Sequence, residues 1–208
     1  MKQVALGFRA HSGWSTLVAI ALEEGVPHVL LRERPHLVRT FTYEFRQPYH
    51  TAQKGSPAEA RDVVERARIE ARSLAWQTIS SAQSSFQRQG YEVKRCGLLL
   101  SSGKPLPELS RILASHALIH TADGELFREA LLHASVRCGI DSFTALESGL
   151  FERASQTLRL KDDELARCLI HVGAEVGSPW TQDEKLASLV AWLSLISQPR
   201  APQKCEET

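Results

Sequence analysis

From Pro57 to the residue before Gly90 the chain carries no glycine and no further proline. In front of this segment stands Ser56-Pro57-Ala58-Glu59. Ser56 can cap a helix, Pro57 suits the first helical position, and Glu59 completes a capping box. Residues 57–88 therefore read as one helix, about 48 Å long at 1.5 Å per residue. That is long for a domain of this size and leaves room for a bend or a projecting end. The apolar positions Val63, Ala67, Ala71, Leu74, Ile79 and Phe86 drift in spacing but keep to one face.

What precedes this helix reads as a β-meander. Val4 to His11 is a short strand, and Ser12-Gly13 is a turn dipeptide with the freedom a hairpin needs. Trp14 to Leu22 is nearly all apolar, as a central strand is. Glu24-Gly25-Val26-Pro27 turns the chain again into His28 to Val38, where Pro35 points to an edge position or an early end. Residues 39–55 show no periodicity and read as a long loop. The loop is rich in aromatic and basic side chains: Arg39, Tyr43, Phe45, Arg46, Tyr49 and His50.

After the long helix, Tyr91 to Leu100 is a strand, Pro107 to Thr121 a helix, and Asp123 to Arg137 a second helix. In the second, Thr121-Ala122-Asp123-Gly124-Glu125 reads as a helix start, where acids suit the dipole. Asp141 to Glu147 is a short strand. Helices follow at about 149–158, 162–174 and 181–197, the last capped by Thr181 with Asp183 and Glu184 in its first turn. Trp180 and Trp192 are expected to pack that helix into the core. The order is β-β-β-α-β-α-α-β-α-α-α, and helical crossovers place the fourth and fifth strands parallel to the first.

Composition sets outer limits. Of the 208 residues 43% are hydrophobic and 24% charged, close to globular averages. One α/β domain over 1–198 with a polar tail at 199–208 is the expected organisation. Net charge is +1, from 25 basic and 24 acidic side chains, which argues against a non-specific grip on duplex nucleic acid but leaves a local patch open. Cys96, Cys138 and Cys168 sit in apolar contexts without a CxxC spacing, as small buried hydrophobes in a reducing cytoplasm would. Neither a signal peptide nor an apolar run of membrane-spanning length is visible. The expected location is cytoplasmic, with no membrane partner.

This order of elements resembles the ribonuclease H-like superfamily, which includes ribonucleases H, Holliday junction resolvases, transposases and, more remotely, actin-like ATPases. The resemblance implies a mixed five-stranded sheet with helices packed on it, in two or three layers. It also implies carboxylates that hold divalent metal: one on the first strand, one near the fourth, and one or two on the last helix. Here the first strand offers Arg9 and His11, the fourth ends in Ser101-Ser102, and Asp183 beside Glu184 matches on the last helix. The resemblance thus implies a domain without most of the usual catalytic carboxylates.

Several constellations could carry chemistry. Arg9, His11, Ser12 and Ser15 lie at the first hairpin, and the topology brings Arg9 and His11 toward Ser101 and Ser102. With Asp183 as a residual acid, this is the expected site for a phosphate-bearing ligand or nucleic acid. His116 and His120, four apart on a helix, share a face; with Glu125 they form a candidate divalent-metal set. They equally suit a helix surface. Ser101-Ser102-Gly103-Lys104 lacks the first glycine of a phosphate loop. The leading expectation is a binding domain. A metal-dependent hydrolase would rebuild its ligands from His11, His116, His120, Glu125, Asp183 and Glu184. A protein-interaction scaffold would use the long 57–88 helix as its partner surface, and a homodimer would form there or through Trp180 and Trp192.

Overall fold

The structure is a computed structural model in which residues 1–197 are described; the tail expected at 199–208, with Cys205, lies outside them. Five strands form one sheet in the order β3-β2-β1-β4-β5. They are β1 (Lys2–His11), β2 (Trp14–Glu23), β3 (Val26–Glu33), β4 (Tyr91–Leu100) and β5 (Asp141–Leu146). The first three pair antiparallel, and β4 and β5 run parallel to β1. Pro35 follows the end of the edge strand β3, and its carbonyl accepts from the Ser15 N–H. The fold is α/β with ribonuclease H-like topology, as the element order implies.

Strand periodicity sorts the two faces. On β1, Val4, Leu6 and Phe8 join one core with α3 (Pro57–Arg88) and α5 (His116–Arg137). The alternate residue Ala5 joins another core with α8 (Gln182–Ile196). The sheet is thus sandwiched, making three layers. The same alternation places Gly7, Arg9 and His11 on the α8 side. Helices α6 (Leu150–Leu158) and α7 (Asp162–Val176) complete that layer, and Trp180 ties α7 down by donating to the Leu169 carbonyl at 2.8 Å. Trp192 is buried in α8.

The long helix is continuous from Pro57 to Arg88, and its Ser56–Glu59 capping box is formed. Its buried stripe is Ala60, Val64, Ala71, Ala75, Ile79, Ala82 and Phe86. The spacing is more regular than large side chains alone suggest, because alanines make up four of its seven buried residues. The one large apolar side chain that α3 leaves exposed is Ile69, so it presents no apolar stripe to a partner.

Two expected segments differ. Residues 39–55 are not a loop: α1 (Tyr43–Arg46) and α2 (Pro48–Ala52) form there. Pro48 occupies the first turn of α2, and Tyr49 and Ala52, one turn apart, are buried against the core. Residues 107–137 divide elsewhere than expected, into α4 (Leu109–Leu113) and one uninterrupted α5. Asp123 is therefore not at a helix start. It lies inside α5, 2% exposed.

Helix α8 sits against backbone. A Cβ on Gly7 would stand 1.9 Å from the Ala187 carbonyl oxygen, and one on Gly97 would stand 2.6 Å from that of Val190. Both neighbours are helix backbone and cannot step aside. Gly7→Ala and Gly97→Ala are each expected to lower unfolding free energy by about 1–3 kcal/mol, the cost of overpacking, in denaturant titrations. Ile69→Ala, on the exposed face of α3, should stay within about 0.5 kcal/mol.

Candidate functional site

The strand ends and the start of α8 meet at Arg9. Its Nη2 donates to Glu147 Oε1 at 2.6 Å and its Nε to Glu147 Oε2 at 3.2 Å, a two-pronged fork. Its Nη1 donates to Asp183 Oδ1. Glu147 stands directly after β5, where its N–H donates to the Leu100 carbonyl at 3.0 Å. Asp183 is in the first turn of α8. Three elements distant in sequence thus converge on one guanidinium. The bonds from Glu147 raise the already high pKa of Arg9, so it stays charged throughout.

His11 extends the cluster. Its ring stacks flat on Trp14, centroids 4.2 Å apart, and its Nε2 lies 3.1 Å from Asp183 Oδ2. Burial pushes the His11 pKa down, against the pull of Asp183, so the imidazole is neutral at neutral pH. Arg34 lies over the Trp14 ring at 5.0 Å and reaches Glu184 Oε1 at 3.2 Å. Glu184 is buried and closes the α8 capping box with Thr181. Burial alone would raise Glu184. The Thr181 hydroxyl and N–H, with Arg34, outweigh it and hold the carboxyl below its usual range.

Of the residues singled out in the sequence, Arg9, His11 and Asp183 come together. Ser101 does not join them: its hydroxyl donates to Glu125 at 2.7 Å. Ser102 is exposed and its hydroxyl accepts from the Lys104 N–H. Ser12 lends its backbone carbonyl to Arg46 Nε at 3.0 Å. Ser15 is buried, and its hydroxyl has no hydrogen-bond partner among the described residues. Glu147 carries no local signal of this role, because nothing in the neighbouring sequence distinguishes a lone acid after a strand.

A second cluster lies where α2 meets α5. His116 and His120 share a face, as the spacing of four requires, and their Nε2 atoms are 3.0 Å apart. The third imidazole is that of His50, and the three rings offer nitrogens all within 4.8 Å of one another. Glu125 does not take that place; it is bound to Ser101 and, at 3.1 Å, to Arg128. His50 Nδ1 is 2.5 Å from Asp123 Oδ2, and the Tyr49 N–H donates to Asp123 Oδ1 at 2.8 Å. Such a set of imidazoles could hold a transition metal. The rebuilt ligand set expected for a hydrolase is therefore divided: His11, Asp183 and Glu184 at the strand ends, His116 and His120 here.

Comparison with solved structures agrees with the topology. RuvC of T. thermophilus in complex with a Holliday junction substrate aligns with a TM-score of 0.53 at 13% identity, covering 93% of each chain. Another Thermus thermophilus RuvC structure aligns at 0.50 with 12% identity and the same coverage. The chain has a ribonuclease H-like fold. No protein-family model and no curated protein matches its sequence. Among the described residues, no helix is long and apolar enough to cross a membrane.

Two stability measurements follow from this geometry. Arg9→Ala leaves Glu147 and Asp183 without their common cation and should cost about 1–3 kcal/mol at neutral pH, as loss of a charged hydrogen-bond partner does. Arg9→Lys should recover only part of that, because an ammonium cannot reproduce the fork. Glu184 has a lowered folded pKa, so its stabilisation is present above the unfolded value of 4.5 and is lost as pH falls through the folded value. Glu184→Gln should therefore be less stable than wild type at pH 7, by about 1 kcal/mol for a weakened cap. Its stability should also fall less steeply on acidification, which melting curves across acidic pH would show.

Proposed function

We propose that this chain is a ribonuclease H-like domain that binds nucleic acid without cleaving it. The observation that carries the reading is Arg9. From β1, where the resemblance expects a metal-binding acid, a guanidinium reaches out and is held by Glu147 and Asp183. The charge that a divalent ion would supply between these carboxylates is supplied by the protein itself. A two-metal displacement needs carboxylates open to ions, and here both are engaged by Arg9.

The same bonds move the ligand surface. Phosphate at Arg9 would compete with two acids, so the contact surface proposed here is the neighbouring strap around α1. Phe41, Tyr43 and Phe45 are 44%, 58% and 44% exposed. Arg46 lies over the Phe41 ring at 4.4 Å, His36 stacks on the same ring at 4.5 Å, and Arg39 is largely exposed. Exposed aromatics interleaved with arginine suit unpaired bases, which stack on rings while the backbone meets the cations. The bond from Arg46 to Ser12 keeps the strap beside the β1–β2 turn. The solved neighbour that carries a Holliday junction substrate makes branched DNA a natural first probe beside single strands.

Labelled single-stranded and four-way-junction DNA, followed by fluorescence anisotropy at about 50 mM salt, should bind and weaken as salt rises. Tyr43→Ala and Phe45→Ala should each cost about 1–3 kcal/mol of binding, the range for one stacked base. DNA incubated with the protein and magnesium or manganese should remain intact. Absence of binding at low salt, or metal-dependent cleavage, would overturn the reading.

A further inference from the structure

A carboxylate buried in the middle of a helix calls for a partner, and Asp123 has two. Both of its oxygens are occupied, one by the Tyr49 N–H and the other by His50 Nδ1. Burial pushes the Asp123 carboxyl upward, which the bond from His50 counteracts. With its Nδ1–H given to Asp123, His50 keeps the lone pair on Nε2. That nitrogen belongs to a ring whose centroid is 4.5 Å from that of His120 and 5.5 Å from that of His116. The His116 and His120 rings meet each other edge-on at 4.4 Å. A carboxylate that fixes the tautomer and orientation of one histidine, with two more imidazoles facing it, is how proteins build metal sites.

We propose that His50, His116 and His120 form a three-histidine site for a divalent transition metal, with Asp123 as the group that orients His50. Imidazole donors favour zinc, cobalt, nickel or copper over magnesium or calcium, which prefer oxygen. At metal–nitrogen bonds of 2.0–2.1 Å, a tetrahedral site needs nitrogens about 3.3 Å apart. The pair at 3.0 Å and the outer limit of 4.8 Å bracket that separation. His116 and His120 are exposed, so the fourth position opens to solvent, available to water or an anionic oxygen. The ion would fasten α2 to α5 beside the aromatic strap, where Tyr43 meets His50 edge-on at 6.1 Å. This proposal does not depend on nucleic-acid binding, because none of its three ligands is among the strap residues Phe41, Tyr43, Phe45 and Arg46 assigned to DNA.

The test uses the full chain, stripped with a chelator and titrated with cobalt. The expected result is visible d–d absorption of four-coordinate cobalt that saturates at one ion per chain and disappears when zinc is added. His116→Ala/His120→Ala should lose the bands while the metal-free protein melts as wild type does, since both side chains are at the surface. His171→Ala, an exposed histidine elsewhere on α7, should bind as wild type does. Asp123→Asn should keep the stoichiometry but bind about 10–100-fold more weakly, as loss of an orienting partner does. Three results overturn the proposal: no bands in the wild type, equal bands in the double variant, or undiminished affinity in Asp123→Asn.

Discussion

Helix α8 lies on the sheet with no side chain between it and two positions of the central strands. Gly7 and Gly97 are neighbours in the parallel register of β1 and β4. Ala187 and Val190 present carbonyls to the space where their Cβ atoms would be. This close approach determines how far the first turn of α8 stands from the end of β1. One more methyl group at either glycine would lift the helix, and with it Asp183 and Glu184. The charged centre is therefore a consequence of packing beneath it, since Arg9 lies two residues beyond Gly7 on the same face of β1.

Once seated, that centre is largely neutralised from within. Arg9 meets two acids, His11 is neutral, stacked on Trp14 and close to Asp183, and Arg34 lies over the Trp14 ring and pairs with Glu184. The side chains of Arg9 and Asp183 are 22% and 17% exposed, so their interaction is only partly screened by water. Such a cluster stabilises the junction of β1, β5 and α8, and it leaves little charge to attract an ion. The histidine cluster differs in kind. It gathers three imidazoles, two of them exposed, and the carboxylate of Asp123 lies behind it.

Much of the architecture could be read along the chain because its signals are local. The Ser56–Glu59 and Thr181–Glu184 boxes mark helix starts within four residues, and both form. Pro35 marked β3 as an edge. Local signals also misled where tertiary contacts outweighed them. Thr121-Ala122-Asp123-Gly124 has the composition of a helix start, yet the helix runs through it because Asp123 is bonded to α2 from inside. Pro48 opens α2 without a side-chain cap, so this helix of five residues carries no start signal beyond the proline. Among site residues, His116 and His120 could be paired by spacing alone. His50 and Glu147 could not, because they meet their partners across 73 and 138 positions of sequence.

The sequence by itself determined the order of the five strands and of the helices other than the short α1 and α2, the parallel placement of β4 and β5, and the lack of most acids expected of a catalytic ribonuclease H-like site. These follow from periodicity, turn chemistry and residue identity, which act over a few neighbours. Only the tertiary structure decided which charges face each other. It set Arg9 between Glu147 and Asp183, and it brought His50 to the two histidines of α5. The reason is that a side chain's electrostatic partners are fixed by sheet register and helix seating. Both depend on contacts between segments that no local pattern records.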